Sequence, residues 1–183
     1  VFIPNSYELY WNCTALEFWN RMLKEHNKFW NTERLNKANS LELNATEIYT
    51  LASIVECESQ YKSERPRIAG VYINRLKKQG WKLEADPTVV FAVGDFSLTR
   101  VLNKHLEFNS PYNTYIYPGL PPGPIYMSSI SSIDAVLNYE KHNYMFFCAK
   151  PHEDGQANTH AFAKTHKAHL RNAKIYWRWL RRQ

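Results

Sequence analysis

Residues 51–60 read LASIVECESQ. With Ile48 before them, Leu51, Ala52 and Val55 fall at i, i+3, i+4 and i+7 of one helical face, and the run then enters two carboxylates, Glu56 and Glu58, on either side of Cys57. Asn44 followed by Glu47 has the N-x-x-E form that opens a helix just upstream. Each helical residue advances about 100°, so Glu56 lies roughly 80° from the centre of the apolar stripe, in line with Ala52. A carboxylate at the rim of a buried face can point into a cleft, and partial burial raises its pKa towards the range a general acid needs. The same position suits a boundary glutamate in an ordinary salt bridge. Glu58, on the other flank of the stripe, carries the same two readings.

Outward from this helix the chain alternates between helical and irregular signals. Thr14 and Glu17 form a capping box ahead of Leu16, Trp19, Met22 and Leu23, which predicts a helix over roughly 15–30. The Asn-rich NTERLNKANSLEL reads as a polar connection. Pro66 suits the first turn of a further helix with Ile68, Val71, Tyr72 and Leu76 on its apolar face and Gly80 beyond its end. WKLEADPTVVFAVG reads as a strand pair or extended region. SPYNTYIYPGLPPGPI reads as a long irregular loop, because four of the 9 prolines lie between Pro118 and Pro124. A short helix near 129–138, a strand at YMFFCAK, an extended THAFAKT and a closing helix complete an α+β pattern of helices packed with short strands.

The chain has 183 residues, 44% of them hydrophobic and 15% aromatic, which is enough to build a substantial core. Six Trp and 12 Tyr supply flat amphipathic rings that fill cores and also line carbohydrate and nucleic-acid grooves. The net charge of +6 favours anionic partners without choosing among them. No stretch approaches the ~20 apolar residues that span a bilayer, and VFIPNSYELYW lacks the layout of a signal peptide. This opening reads as mid-domain sequence, so a fragment separated from any leader or anchor is expected. Cys13, Cys57 and Cys148 form no CxxC pair, and three such cysteines read as small buried hydrophobes rather than ligands or a disulfide framework.

Other candidate residues stand apart from the acid pair. Asp86 in EADPTV precedes a proline and is therefore biased towards extended or turn geometry; it reads as a second carboxylate, an orienter or a turn cap. The Pro-rich loop, with its three tyrosines and the amide of Asn113, could grip a polar ligand at low ordering cost, or serve only as a crossing loop. His152, His160, His166 and His169 gather late in the chain, but H-x-x-H at 166–169 without a cysteine partner is a weak metal signal, and no metal or cofactor is expected. G-x-x-x-x-G-K-S/T, G-x-G-x-x-G and G-x-S-x-G are absent, which leaves nucleotide, dinucleotide and α/β-hydrolase readings without support.

Taken in order, FIPNSYELYWN, LASIVECES, RPRIAGVYINRL, LEADPTVVFAVGD, SPYNTY, GLPPGPI, YMFFCAK and THAFAKT resemble the catalytic domain of the endolytic murein transglycosylases, the YceG-like (MltG) family. The resemblance runs from about residue 2 to 170. It implies one catalytic domain over 1–183, with a lysozyme-like catalytic helix and a long Pro-rich loop. Members of that family usually carry an N-terminal transmembrane anchor and a small LysM-like region, and this chain is expected to be a fragment separated from both. The implied location is the bacterial envelope, anchored in the cytoplasmic membrane with the catalytic domain outside the cytoplasm, where cell-wall synthases are possible partners and nucleic acid is not. By motif position the catalytic glutamate falls on Glu56. Glu58, Asp86, Thr88, Tyr112, Asn113 and His160 fall on the family's supporting and substrate-binding positions. Cys57 stands where lysine is common, which a solvent-facing position would tolerate, and Glu84 stands where glutamine is common.

The resemblance implies cleavage of the bond between N-acetylmuramic acid and N-acetylglucosamine, with one carboxyl acting as acid and then as base while the muramic C6 hydroxyl attacks C1. Three rivals remain open on sequence: a lysozyme-like hydrolase pairing Glu56 with Asp86 or Glu58, a non-catalytic glycan-binding module, and a nucleic-acid binder, which no recognised motif supports.

Overall fold

Helix α3, Ala45–Glu58, is the centre of the molecule, and eight consecutive residues from Ile48 to Val55 are buried on all sides of it. A computed structural model describes residues 2–151 and 159–182. Around α3 pack α2 (Thr32–Ser40), α4 (Arg65–Leu76), α5 (Asp86–Val93) and α7 (Ile130–Leu137). Helix α1 (Ala15–Phe29) precedes them, and a short α6 (Asn103–Leu106) follows α5. Strands β1 (Phe146–Ala149) and β2 (His160–Ala163) form an antiparallel pair, with Ala149 opposite His160 and Phe147 opposite Phe162. Helix α8 (His166–Leu180) lies against both strands. The architecture is mixed α+β, as the sequence pattern indicates.

Local signals account for the helix starts. Thr14 and Glu17 cap α1 reciprocally, and Asn44 and Glu47 do the same for α3, each pair satisfying backbone N–H groups that have no helical partner. Two elements differ from the sequence expectation. NTERLNKANSLEL is not a plain connection: Asn31 accepts the backbone N–H of Arg34 and starts α2, whose only buried residue is Ala38. DPTVVFAV is a helix rather than a strand pair. Pro87 fits its first turn, where the missing N–H costs nothing, and Gly94 at φ 77° closes it in a left-handed conformation that a side chain disfavours.

The Pro-rich loop packs as an extended strip. Pro121, Gly123 and Ile125 point inward while Pro122, Pro124 and Tyr126 face solvent. The Ile125 N–H donates to Ser53 Oγ at 3.0 Å, and the Ser128 hydroxyl donates to the Tyr49 carbonyl at 3.3 Å, tying this irregular segment to the central helix. The cysteines are free; Cys57 is exposed and Cys13 and Cys148 are half-buried, so none is the buried hydrophobe expected from sequence. No helix among the described residues is long and apolar enough to cross a membrane.

Candidate active site

Because α3 is buried all round, the two acids at its C-terminal end are distinguished by what that end meets. Glu56 and Glu58 are two residues apart, about 200° around the helix, and face different elements. Glu56 turns towards the starts of α4 and α7. Its carboxylate pairs with the buried guanidinium of Arg65 at 3.0 Å and accepts both the backbone N–H and the hydroxyl of Ser129, at 3.1 and 2.5 Å. Arg65 in turn donates to the Ser59 carbonyl and to the hydroxyls of Ser129, Ser131 and Ser132. Burial pushes the Glu56 pKa up, but hydrogen bonds from Ser129 and Ser132 and the charge of Arg65 outweigh it and hold the carboxyl below its ordinary value. The raised pKa expected of Glu56 is therefore corrected.

Glu58 turns the other way. Its carboxyl lies where two clefts meet, one of about 560 Å³ and the other of about 310 Å³. The larger is mostly apolar, walled by α5 residues Pro87, Val90 and Phe91 and by Phe96, Leu98 and Ile125. The smaller is polar and includes Tyr72, Arg75, Glu84, Tyr115 and His160. Burial raises the Glu58 pKa to about 7; the hydrogen bond from Tyr72 opposes this, nearby Asp86 adds to it, and Arg75 opposes it. The buried Tyr72 hydroxyl donates to Glu58 Oε1 at 2.5 Å, and the Tyr72 ring meets the edge of Phe147 on β1. The partner that orients this acid thus comes from the middle of α4.

Asp86 lines both clefts with Glu58 and accepts the Tyr115 hydroxyl at 2.6 Å. Burial, then Asp86, pushes the Tyr115 pKa far up, so its proton stays on as a donor. Asp86 is the first residue of α5 rather than part of an extended segment. Arg75 is held by the carbonyls of Met145 and Leu83. His160 is fixed twice by Glu64, through its backbone N–H at 3.0 Å and its Nδ1 at 2.9 Å, which leaves Nε2 as the ring's other polar atom. Glu84 sits at φ 49°, a backbone conformation uncommon for a side-chain-bearing residue, beside the polar cleft.

The motif residues therefore divide. Glu58, Asp86 and His160 converge on the clefts, whereas Glu56 does not line either one. Thr88 is fully buried and bonded to the Ala85 carbonyl and Thr114. Asn113 is also fully buried, donating to the carbonyls of Leu106 and Phe108 and accepting the Tyr115 N–H. Tyr112 packs on Phe91 with ring centres 4.7 Å apart. Thr88 and Asn113 are thus enclosed in the packing of the loop that presents Tyr115. His152 lies outside the described residues. Sequence reasoning missed Tyr72, Arg75, Tyr115 and Glu64; the hint for Tyr72 was a polar-tipped ring on an otherwise apolar helix face, where a buried hydroxyl needs a partner.

The YceG-like family matches residues 1–175. A protein of Bacillus subtilis named endolytic murein transglycosylase is 39% identical over 155 residues, covering 85% of this chain and 41% of that protein. A Streptococcus pneumoniae protein of the same name is 33% identical over 114 residues, covering 60% of this chain and 20% of its own length. The crystal structure of a YceG-like protein from Listeria monocytogenes aligns with a TM-score of 0.77 at 32% identity, over 93% of this chain and 53% of that one. The chain thus spans about half or less of the length of these relatives.

Proposed function

The chain belongs to the YceG-like family, and from that premise we propose that it acts in the cell envelope as a lytic transglycosylase, cutting peptidoglycan strands internally with Glu58 as the acid and base. The observation that carries this reading is the Glu58 carboxyl, desolvated to a pKa of about 7 at the junction of two clefts. A carboxyl with that pKa is substantially protonated near neutral pH, as proton donation to a glycosidic oxygen requires. In this reading Glu58 gives its proton to the departing oxygen as the C1–O bond breaks. The resulting carboxylate takes the proton of the muramic C6 hydroxyl as that oxygen bonds to C1. The product is a 1,6-anhydro end, no water is consumed, and Glu58 finishes protonated.

Tyr72 holds the Glu58 carboxyl in one orientation by donating to Oε1, which leaves the other oxygen for the substrate. The apolar cleft offers aromatic and aliphatic walls to sugar faces. His160 and Tyr115 offer polar tips from the second cleft. Glu56 serves a different purpose in this reading: with Arg65 it fastens the end of the catalytic helix to α4 and α7. Anchoring in the cytoplasmic membrane and contact with wall synthases are further proposals that the family resemblance suggests.

A second reading has a specific observation behind it. Asp86 shares both clefts with Glu58, and two carboxylates flanking one bond are the equipment of a hydrolase. Cleavage of purified strands in heavy-oxygen water separates the two. The proposal expects unlabelled anhydro ends in a spread of strand lengths; label at the new muramic C1 would establish hydrolysis instead.

A further inference from the structure

We propose that Arg100 binds a carboxylate of the glycan substrate, so that the cleft reads the acidic substituents of the strand as well as its sugar rings. The inference rests on the transglycosylase reading and adds a specificity residue to it. Arg100 lies in the loop that follows α5, and Gly94 turns the chain into this loop. The loop contributes Phe96, Leu98, Arg100 and Val101 to the larger cleft, whose wall also carries Glu58. Among the described residues lining that cleft, Arg100 is the one cation.

The surroundings hold this guanidinium without consuming it. Its central carbon lies 4.9 Å from the ring centre of Trp177 on α8, a cation–π contact that holds the guanidinium beside the ring and uses none of the N–H donors. Asp95, the acid nearest in sequence, is already engaged: its Oδ1 accepts both the N–H and the hydroxyl of Ser97, at 3.0 and 2.6 Å. Among the described residues no carboxylate lies within ion-pair distance of Arg100. An arginine held beside a ring, with its donor fork unspent, at the wall of a cleft that also holds the catalytic acid, matches a planar anion supplied by the ligand. Carboxylate fits that fork in two parallel hydrogen bonds, which a lysine cannot make.

Peptidoglycan offers such a group from two sources. The muramic lactyl group is a free carboxylate where the peptide stem has been removed, and an amide where the stem is attached. The stem carries carboxylates of its own. Binding can be measured in the Glu58→Gln background, in which cutting is expected to be slow, with Arg100 present or replaced by Gln. Three ligands are needed: strands without stems, strands with stems, and strands whose carboxylates have been converted to amides. Arg100→Gln is expected to weaken binding about ten-fold on carboxylate-bearing strands at low salt, with Arg100→Lys recovering part of the loss and the amidated strands indifferent to the change. The carboxylate-bearing ligand that responds identifies the source. Equal affinities of the Arg100 and Arg100→Gln proteins for both carboxylate-bearing ligands would overturn the proposal, as would an equal loss on amidated strands. Product analysis with unaltered Glu58 is read separately: missing anhydro ends would remove the transglycosylase reading while the binding comparison still decides the role of Arg100.

Discussion

Glu56 and Glu58 share a helix, a chemical type and a distance of two residues, yet their surroundings move their proton affinities in opposite directions. Glu56 meets a buried cation, the hydroxyls of Ser129 and Ser132 and the backbone N–H of Ser129 just ahead of α7, and all of these favour its ionised form. Glu58 meets a tyrosine hydroxyl, another carboxylate and apolar walls, and desolvation wins. The difference teaches that burial alone does not select a general acid. What matters is whether the buried carboxyl has been given partners for its charge.

The sharpest way to break this comparison is to neutralise each acid in turn. Glu58→Gln keeps the shape and the Tyr72 contact but removes the transferable proton, so turnover is expected to fall roughly 10²–10⁴-fold in a protein that still folds. Turnover above a tenth of the unaltered protein's would take Glu58 out of the acid role. Glu56→Ala should act on the other axis. It strands the Arg65 guanidinium in the interior, and urea denaturation is expected to show a loss of about 3 kcal/mol, with cleavage per folded molecule retained. Full stability with lost cleavage would return Glu56 to the chemistry.

Asn113→Ala extends the test to the Pro-rich loop. Removing a buried amide that holds the Leu106 and Phe108 carbonyls is expected to cost about 1–3 kcal/mol in thermal or chemical unfolding, again with cleavage per folded molecule largely kept. A normal melting curve with weakened substrate binding would instead make Asn113 a ligand contact.

The smallest effects are the pH slopes, and they differ in sign. The folded state holds the Glu58 proton more tightly than the unfolded chain does. Its contribution to stability is therefore fully present below about 4.5 and lost as pH rises towards about 7. The Glu56 carboxyl is held below its ordinary 4.5, so its contribution is present above that value and lost as pH falls beneath it. Stability curves of Glu58→Gln and Glu56→Ala should each lack one of these slopes. The rate should decline as pH rises through about 7, and a limb that persists in the residual activity of Glu58→Gln would assign it to another group.

What could be read in the sequence was what neighbours in sequence decide. The caps of α1 and α3 involve residues three apart, and Thr14–Glu17 and Asn44–Glu47 announced them. Helix α2 escaped because nearly all of it is polar and it leans on the core chiefly through Ala38. Helix α5 escaped because Val-Val-Phe-Ala-Val has strand-like composition, and its burial against α3 and its Gly94 cap overrode that propensity. The acid pair itself was visible, but the contrast between the surroundings of its members was not. The apolar stripe suggested one buried face, whereas α3 is enclosed on every side. The groups that separate the acids, Arg65 and Tyr72 on α4, Asp86 on α5 and Ser129 before α7, arrive from three other parts of the chain.

The bond from the Ile125 amide to Ser53 carries a consequence for hydrogen–deuterium exchange. Ser53 is completely buried in α3 and also donates to the Thr50 carbonyl, so its hydroxyl is fixed as an acceptor for Ile125. Solvent deuterium can reach that amide only when the strip from Pro121 to Ile125 lifts away from the central helix. Ile125 is therefore expected to exchange with the slow amides of α3, although it lies in a segment without regular secondary structure.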